Sequence, residues 1–238
     1  MGVAAYDVVD PHAGAKIGAS TRDQSPSRAL TSNYKHNIIN MMARYSTRHK
    51  GETRDRILAA ADRVIKARGI DRASVEAVMR NADLTVGGFY AHFASKDELA
   101  RESLLFGLKR SMERLLTPLA PIEDDRAWLK ALIQRYLRQT DDLSLAAACP
   151  LTVLLPEVAR GGADFQRAFG LQTGAFLDRI DKRFPEVAGL SRREVAAFVF
   201  ASCAGAVALA RAIAAPRARE RLLSATETML AGMLDLDR

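Results

Sequence analysis

The sequence predicts an all-α protein of about nine helices, a small basic three-helix head followed by a larger helical bundle. Three observations carry that prediction. From Glu52 onward apolar residues return at intervals of three and four; Pro and Gly cut the pattern into pieces of helix length; and no segment alternates apolar and polar residues as a half-buried strand would. At 238 residues, 48% hydrophobic and 26% charged, the chain has enough apolar side chains for a real core. The expected organisation is an N-terminal extension over 1–43, a head over 44–98 and a bundle over 99–238.

Residues 1–41 mix Gly, Ala, Ser, Asp and Asn with no sustained period and carry Pro11 and Pro26, so the extension is expected to be disordered. Met42 opens a stretch that reads as a short basic arm, which suggests that the residues before it stem from an upstream start. Between Glu52 and Arg68, Ile57, Leu58, Ala61, Val64 and Ile65 make one helical stripe, stopped by Gly69 with Ile70 folding back on the last turn. Ser74 caps a second, shorter helix with Val75, Val78 and Met79 on its apolar side, and Asn81 to Asp83 form the turn after it. Thr85 is placed to cap a third helix, Val86 to Phe93, anchored by Phe89 and Phe93 at i, i+4. The remaining helices are expected from Lys96 to Pro118, Asp124 to Thr140, Leu151 to Arg160, Asp164 to Phe184, Ser191 to Ala215, and from Pro216 to near Leu236.

Composition removes several classes of function. Two cysteines, Cys149 and Cys203, make no disulfide framework and point to a reducing compartment. Arg211 closes the most apolar segment, Val195 to Leu209, before it reaches the about 18 residues of a membrane span, and the N-terminus has no signal-peptide pattern. A cytoplasmic protein is expected, with no membrane partner. The four histidines, His12, His36, His49 and His92, make no metalloprotease motif, and no glycine-rich phosphate loop follows a strand, so neither an enzyme nor a metal or other cofactor is expected. The net charge of +7 is local: from Arg44 to Lys96 there are 11 Lys or Arg against 6 Asp or Glu, while the segments on either side are nearly balanced. Such a segment fits a phosphate-backbone footprint, although a solvated basic face has the same composition.

Two helices joined by a short turn, the second wedged by aromatics and presenting small and polar residues outward, make a helix-turn-helix that fits the major groove of DNA. Gly87 and Gly88 each cost roughly 1 kcal/mol of helix propensity relative to Ala. Close approach to base edges is one return for that cost; a plain loop is the other reading. The run Leu84-Thr85-Val86-Gly87-Gly88-Phe89-Tyr90-Ala91-His92-Phe93-Ala94-Ser95-Lys96-Asp97-Glu98-Leu99, with Ile57 to Ala61, Gly69 and Ser74-Val75-Glu76 before it, resembles the TetR family of bacterial repressors. The resemblance is strong from Glu52 to about Leu99. It implies that Thr85 caps the recognition helix, that Val86, Gly87 and Gly88 face base edges, and that Tyr90 lies on the rim of the groove. It also implies that Ser74, His92 and Lys96 hold phosphates. Arg44 and Arg48 are candidates, from charge alone, for an arm reaching an adjacent groove. Asp83 stands where the family usually has Gly in the turn; Asp tolerates the left-handed region, at the cost of a negative charge near phosphates.

Beyond Leu99 only size and helical plan match the family. The last two helices carry apolar faces that need partners, and the resemblance implies a four-helix homodimer interface including Phe198, Ser202, Gly205, Leu209, Leu223 and Leu230; an intramolecular core is the other reading. The helices between Leu104 and Phe184 are expected to enclose a pocket for a small-molecule effector, with Trp128, Tyr136, Cys149, Phe165, Phe169 and Phe176 as candidate lining residues, although aromatics at helical spacing also serve as plain core. Cys149 is either a buried inert thiol or, as in some relatives of this type, a sensor. The reading implied is a repressor released from palindromic, double-stranded operator DNA when the effector binds. The alternative is a helical dimer that carries a ligand or acts as a scaffold without specific DNA binding.

Overall fold

The computed structural model describes residues 48–140, 144–145 and 148–237. The extension expected over 1–43 lies outside them, as does Arg44. The chain divides into two units, Met1–His49 and Lys50–Arg238. In the first, the described residues Arg48 and His49 are helical and exposed.

The second unit is all-α, and among its described residues the only extended pairing is an isolated bridge between Val187 and Leu190. Helix α1 covers 50–68, and the stripe Ile57, Leu58, Ala61, Val64, Ile65 is buried throughout. It stops at Gly69, whose φ of 84° only glycine adopts without strain, and whose amide donates to the Ile65 carbonyl. Helix α2, Val75–Asn81, starts at Ser74, whose hydroxyl accepts from the Ala77 amide. It ends in a Schellman turn: the Leu84 amide donates to the Met79 carbonyl, the Asp83 amide to the Arg80 carbonyl, and Asp83 sits at φ 54°.

The third element differs from the expectation. Val86–Ala91 is a 3₁₀ helix, and Thr85 stands at its N-cap without a side-chain capping bond. Consecutive glycines weaken the case for a full α-turn, and the tighter i to i+3 pattern suffices for a piece this short. Ser95 then caps α3, Lys96–Leu116, by accepting from the Glu98 amide, while the Glu98 carboxylate accepts from the Ala94 amide. That reciprocal pair is the structural content of the Ala94-Ser95-Lys96-Asp97-Glu98 run.

The bundle follows as α4, Asp125–Leu137; α5, Pro150–Arg160; α6, Gly162–Ile180; α7, Arg192–Ala212; and α8, Pro216–Met233. Short 3₁₀ pieces, Arg138–Thr140 and Asp181–Arg183, take up what the sequence suggests as the last turns of α4 and α6. Pro150 is the first residue of α5, where its missing amide costs nothing, whereas Pro156 lies inside that helix. Helix α7 packs against α4, α5, α6 and α8. By length and composition it is apolar enough to cross a bilayer, with a mean hydropathy of 1.8 over an 18-residue stretch that takes in Arg211 near its end. Val195, Ala196, Val199, Cys203, Ala206, Val207 and Ala210 are buried in the bundle, so this is the apolarity of a core helix.

Head and bundle share one core, and the contact is close where α1 meets α3. A Cβ at Gly107 of α3 would come within 2.3 Å of Asp62 Oδ1 and 2.8 Å of Pro150 Cγ. Gly107→Ala is therefore expected to destabilise the fold by about 1–3 kcal/mol in urea unfolding. Gly170→Ala in α6, where a Cβ meets nothing within 4 Å, is expected to be neutral or to stabilise by up to about 1 kcal/mol.

Candidate nucleic-acid interface

The 3₁₀ segment rests on Phe89 and Phe93, both buried, with ring centroids 5.8 Å apart and near parallel. Burying such side chains contributes about 1.5–3 kcal/mol each, which fixes the segment on α1 and α2. The Arg54 guanidinium lies 4.5 Å from the Phe93 ring centroid and pairs with Glu102 of α3. With the backs of the rings turned inward, Val86 (40% exposed), Gly87 and Tyr90 (74% exposed) face solvent.

Glycine at position 87 has no internal cause. A Cβ there would meet no heavy atom within 4 Å, and its φ is not positive. At Gly88 a Cβ would make an ordinary 3.9 Å contact with Met79 Cε. The chain therefore gives up helix propensity at Gly87 with no gain in its own packing.

The polar candidates surround this surface. Ser74 is exposed at the start of α2, and its hydroxyl also interacts with the Glu76 carboxyl, which its own backbone amide and Ser74 hold below the usual range. His92 is half-buried; burial first, then Lys50 and Arg54, pushes its pKa below the ordinary value. Its Nδ1 is buried without a hydrogen-bond partner, and burial and the two nearby cations both favour the neutral imidazole, whose Nε2 can donate. Lys96 donates to the Asp71 carbonyl at 2.8 Å, which leaves two of its three N–H groups. The turn carbonyls are clamped from α1, by Arg56 to Ala82 O at 2.8 Å and by Arg63 to Asn81 Oδ1 at 2.9 Å.

Two ties between head and body had no distinct sequence signal. Glu157, near the end of α5, accepts from the Ile70 amide at 2.6 Å. Lys66 on α1, only 5% exposed, is 2.8 Å from Asp62 Oδ2 and donates to the Ala148 carbonyl, just ahead of α5, at 3.0 Å. Burial raises the Asp62 carboxyl above its usual range although Lys66 pulls it down, and Asp62 Oδ1 has no partner. A Lys–Asp pair at i, i+4 on a helix reads in sequence as an ordinary surface pair; only the fold shows that it is buried.

The six pocket candidates do not converge. Tyr136 and Phe176 line a small enclosed space with Phe200, Phe184 and Cys203, a residue the sequence did not single out. Its volume is about 10 Å³, room for a single water at most. Tyr136 packs edge-on to Phe200, and burial, followed by the neighbouring Cys149 and Cys203, raises its phenol well above the usual range. Trp128 lies apart, edge-on to Phe184 and under the Arg183 guanidinium. Phe165 packs by Gly161 and Phe169 is half-buried against the core.

On the other side of α7, Phe198, Ser202, Gly205 and Leu209 open onto an apolar groove. Its α8 wall is Leu222, Ala225, Thr226, Met229 and Met233, one turn-to-turn stripe. Of the two α8 candidates, Leu230 is buried at the floor of the groove and Leu223 packs on the core, because they fall on the neighbouring stripe. Among the described residues, no three His, Cys, Asp or Glu side chains converge as a metal ion would require.

A second helix closed by a Schellman turn, followed by a segment turned out to solvent, makes this head a helix-turn-helix. Residues 57–102 match the family described as bacterial regulatory proteins, tetR family. SrpR, an HTH-type transcriptional regulator of Pseudomonas putida, is 36% identical over 87 residues. That stretch covers 37% of this chain and 39% of SrpR, well under half of either. A TetR transcriptional regulator from Chloroflexus aurantiacus shares the fold with a TM-score of 0.64 at 20% identity, over 79% of this chain and 98% of that one. The regulator FadR from Bacillus subtilis, solved in complex with stearoyl-CoA, does so with a TM-score of 0.57 at 15% identity, over 77% and 98%. The match to the tetR family model is confined to the head, and beyond it the chain shares the fold of solved TetR regulators.

Both thiols are buried; burial raises Cys149 and pushes Cys203 up to about 12. Iodoacetamide at pH 8 is expected to leave the native protein unmodified and to add two adducts in urea, read by intact mass. A native adduct would show that Cys149 or Cys203 is open to reagent.

Proposed function

We propose that this chain is a cytoplasmic transcriptional regulator that binds double-stranded operator DNA as a homodimer and is released when a small molecule enters its body. The observation that carries the DNA reading is Gly87, a helix-weakening residue on an exposed, rigidly backed surface with no internal reason to be glycine. A duplex supplies the reason: without a side chain there, the backbone comes flush with base edges.

In this reading Val86, Gly87 and Gly88 meet base edges, and Tyr90 lies along the rim of the groove. Ser74, Thr85, His92 and Lys96 hold phosphates, which position the head without reading sequence. His92 acts as a neutral donor, and Lys96 uses the two N–H groups left by its bond to Asp71. Arg44 and Arg48 form the arm. Asp83 keeps its turn closed at the cost of one negative charge on this side.

The exposed groove between α7 and α8 supports the dimer. Phe198 (51%), Leu209 (60%) and Met229 (74%) are large apolar side chains left exposed among the described residues, and a second copy of the same groove closes all of them at once. Two heads then sit about one DNA turn apart, roughly 34–36 Å, on a palindromic site. The internal space beside Tyr136 is too small for an effector, so entry there must part α4, α6 and α7. Any resulting shift of α5 pulls on Ile70 through Glu157 and on Lys66 through the Ala148 carbonyl. Differential affinity for the two head positions is what couples ligand to DNA.

Fluorescence anisotropy with a fragment of the chain's own promoter tests the reading. Affinity should fall steeply with salt, with a log-log slope near −0.9 per phosphate neutralised. Tyr90→Ala should weaken binding at least about tenfold while sedimentation still shows a dimer, a loss in the range of one good base-edge contact. No binding, or binding insensitive to salt, would favour the ligand-carrying or scaffold dimer. Met229→Glu should convert the dimer to a monomer and abolish operator binding; a dimer that persists would place the interface elsewhere.

A further inference from the structure

The surface between the second half of α3 and α4 is cut by a cleft of about 670 Å³ into which Arg114, Arg135 and Arg138 all open. Among the described residues no carboxylate lines it, and none of these three guanidinium groups takes part in an ion pair. By contrast, Arg183, in the 3₁₀ piece after α6, is paired with Asp125 at the far end of α4. Two of the three are anchored: Arg135 donates through Nη2 to the Arg114 carbonyl at 3.1 Å, and Arg114 Nη2 donates to Ser111 Oγ at 3.2 Å. Most of their N–H donors remain unused. Leu115, Pro118 and Leu119, which follow Arg114 in the chain on the same side of the cleft, add an apolar wall.

Three like charges gathered in a concavity, with no carboxylate among its described lining residues, focus a positive potential there. Guanidinium groups in that arrangement suit the paired oxygens of a carboxylate or phosphate. The apolar wall suits a short hydrocarbon portion beside that headgroup. The volume lies in the range of small-molecule sites. We infer that this cleft binds a small amphiphilic organic anion, with a carboxylate or phosphate headgroup on Arg114, Arg135 and Arg138 and its tail against Leu115, Pro118 and Leu119.

The cleft is also placed to matter to the head. Ser111 lies against the Cys149 thiol, one residue from the Ala148 carbonyl that accepts from Lys66. Arg114 is close enough to Asp62 to act on its carboxylate, so an anion on Arg114 changes the field on the buried Asp62–Lys66 pair. The anion is accordingly assigned as an effector, and this second step rests on the DNA-binding reading above.

Isothermal titration of the full-length protein with octanoate, octyl phosphate and octanol tests the site. At least one of the two anions should bind ten times or more tightly than octanol, the tighter naming the headgroup. The double variant Arg135→Gln/Arg138→Gln, checked for an unchanged thermal melt, should lose at least tenfold of that affinity. If octanol binds as well as both anions, or if the folded double variant binds them unchanged, the inference falls. A variant that does not fold is replaced by Arg138→Gln alone, for which a loss of at least threefold is expected and no loss overturns the site. Promoter binding is then measured with and without the tighter anion. Anion binding that leaves promoter affinity unchanged removes the effector role. A protein that binds the anion but no promoter overturns the DNA reading and leaves the cleft assignment intact.

Discussion

A buried ammonium group must be surrounded by acceptors, and Lys66 finds its acceptors on two different elements. One is Asp62, a turn earlier on α1; the other is the Ala148 carbonyl, at the entrance to α5. Removing one partner of such a pair leaves an uncompensated charge in the interior, a cost of about 3–5 kcal/mol, so the arrangement holds together or fails together. Gly107 completes it by letting α3 approach the Asp62 carboxylate without a side chain in between. The Lys66 pair thus joins the shared apolar core and the Glu157–Ile70 bond in tying the three-helix head to its bundle.

The head itself is stabilised in two directions. Apolar packing from below, through Phe89 and Phe93, fixes the height of the exposed segment, while hydrogen bonds from Arg56 and Arg63 fix the turn before it. Asp83 keeps a complete Schellman turn at φ 54° in a position where glycine is commoner. The turn survives because its backbone bonds, and not the identity of the left-handed residue, define it. The 3₁₀ winding of Val86–Ala91 is a local matter, set by Gly87 and Gly88, and leaves the same side chains facing out.

Much of this was legible in the sequence because local chemistry decided it. The α1 stripe, the Gly69 stop and the Ser74 cap each depend on residues within a few positions of one another, and each forms as the spacing predicts, whereas Thr85 makes no capping bond. What was not legible depends on contacts far apart in the chain. Periodicity shows that α8 has apolar residues but not which of two adjacent stripes meets α7; hence Leu222 and Met229 line the groove while Leu223 packs inward. Aromatic content marked Trp128 and Phe176 alike, yet one lies under Arg183 and the other beside Cys203. The Arg114, Arg135 and Arg138 cluster was likewise invisible, since the charges come from two helices and read singly as solvated surface.

Helix α5 has a property that follows from its proline. Its two ends are fastened to α1 and its following turn, one by way of the carbonyl preceding the helix and the other through Glu157, while Pro156 offers no amide to the carbonyl one turn before it. A rod pinned at both ends transmits a push as a whole, but one with a missing rung flexes at that point. The two fastenings need not be displaced by equal amounts.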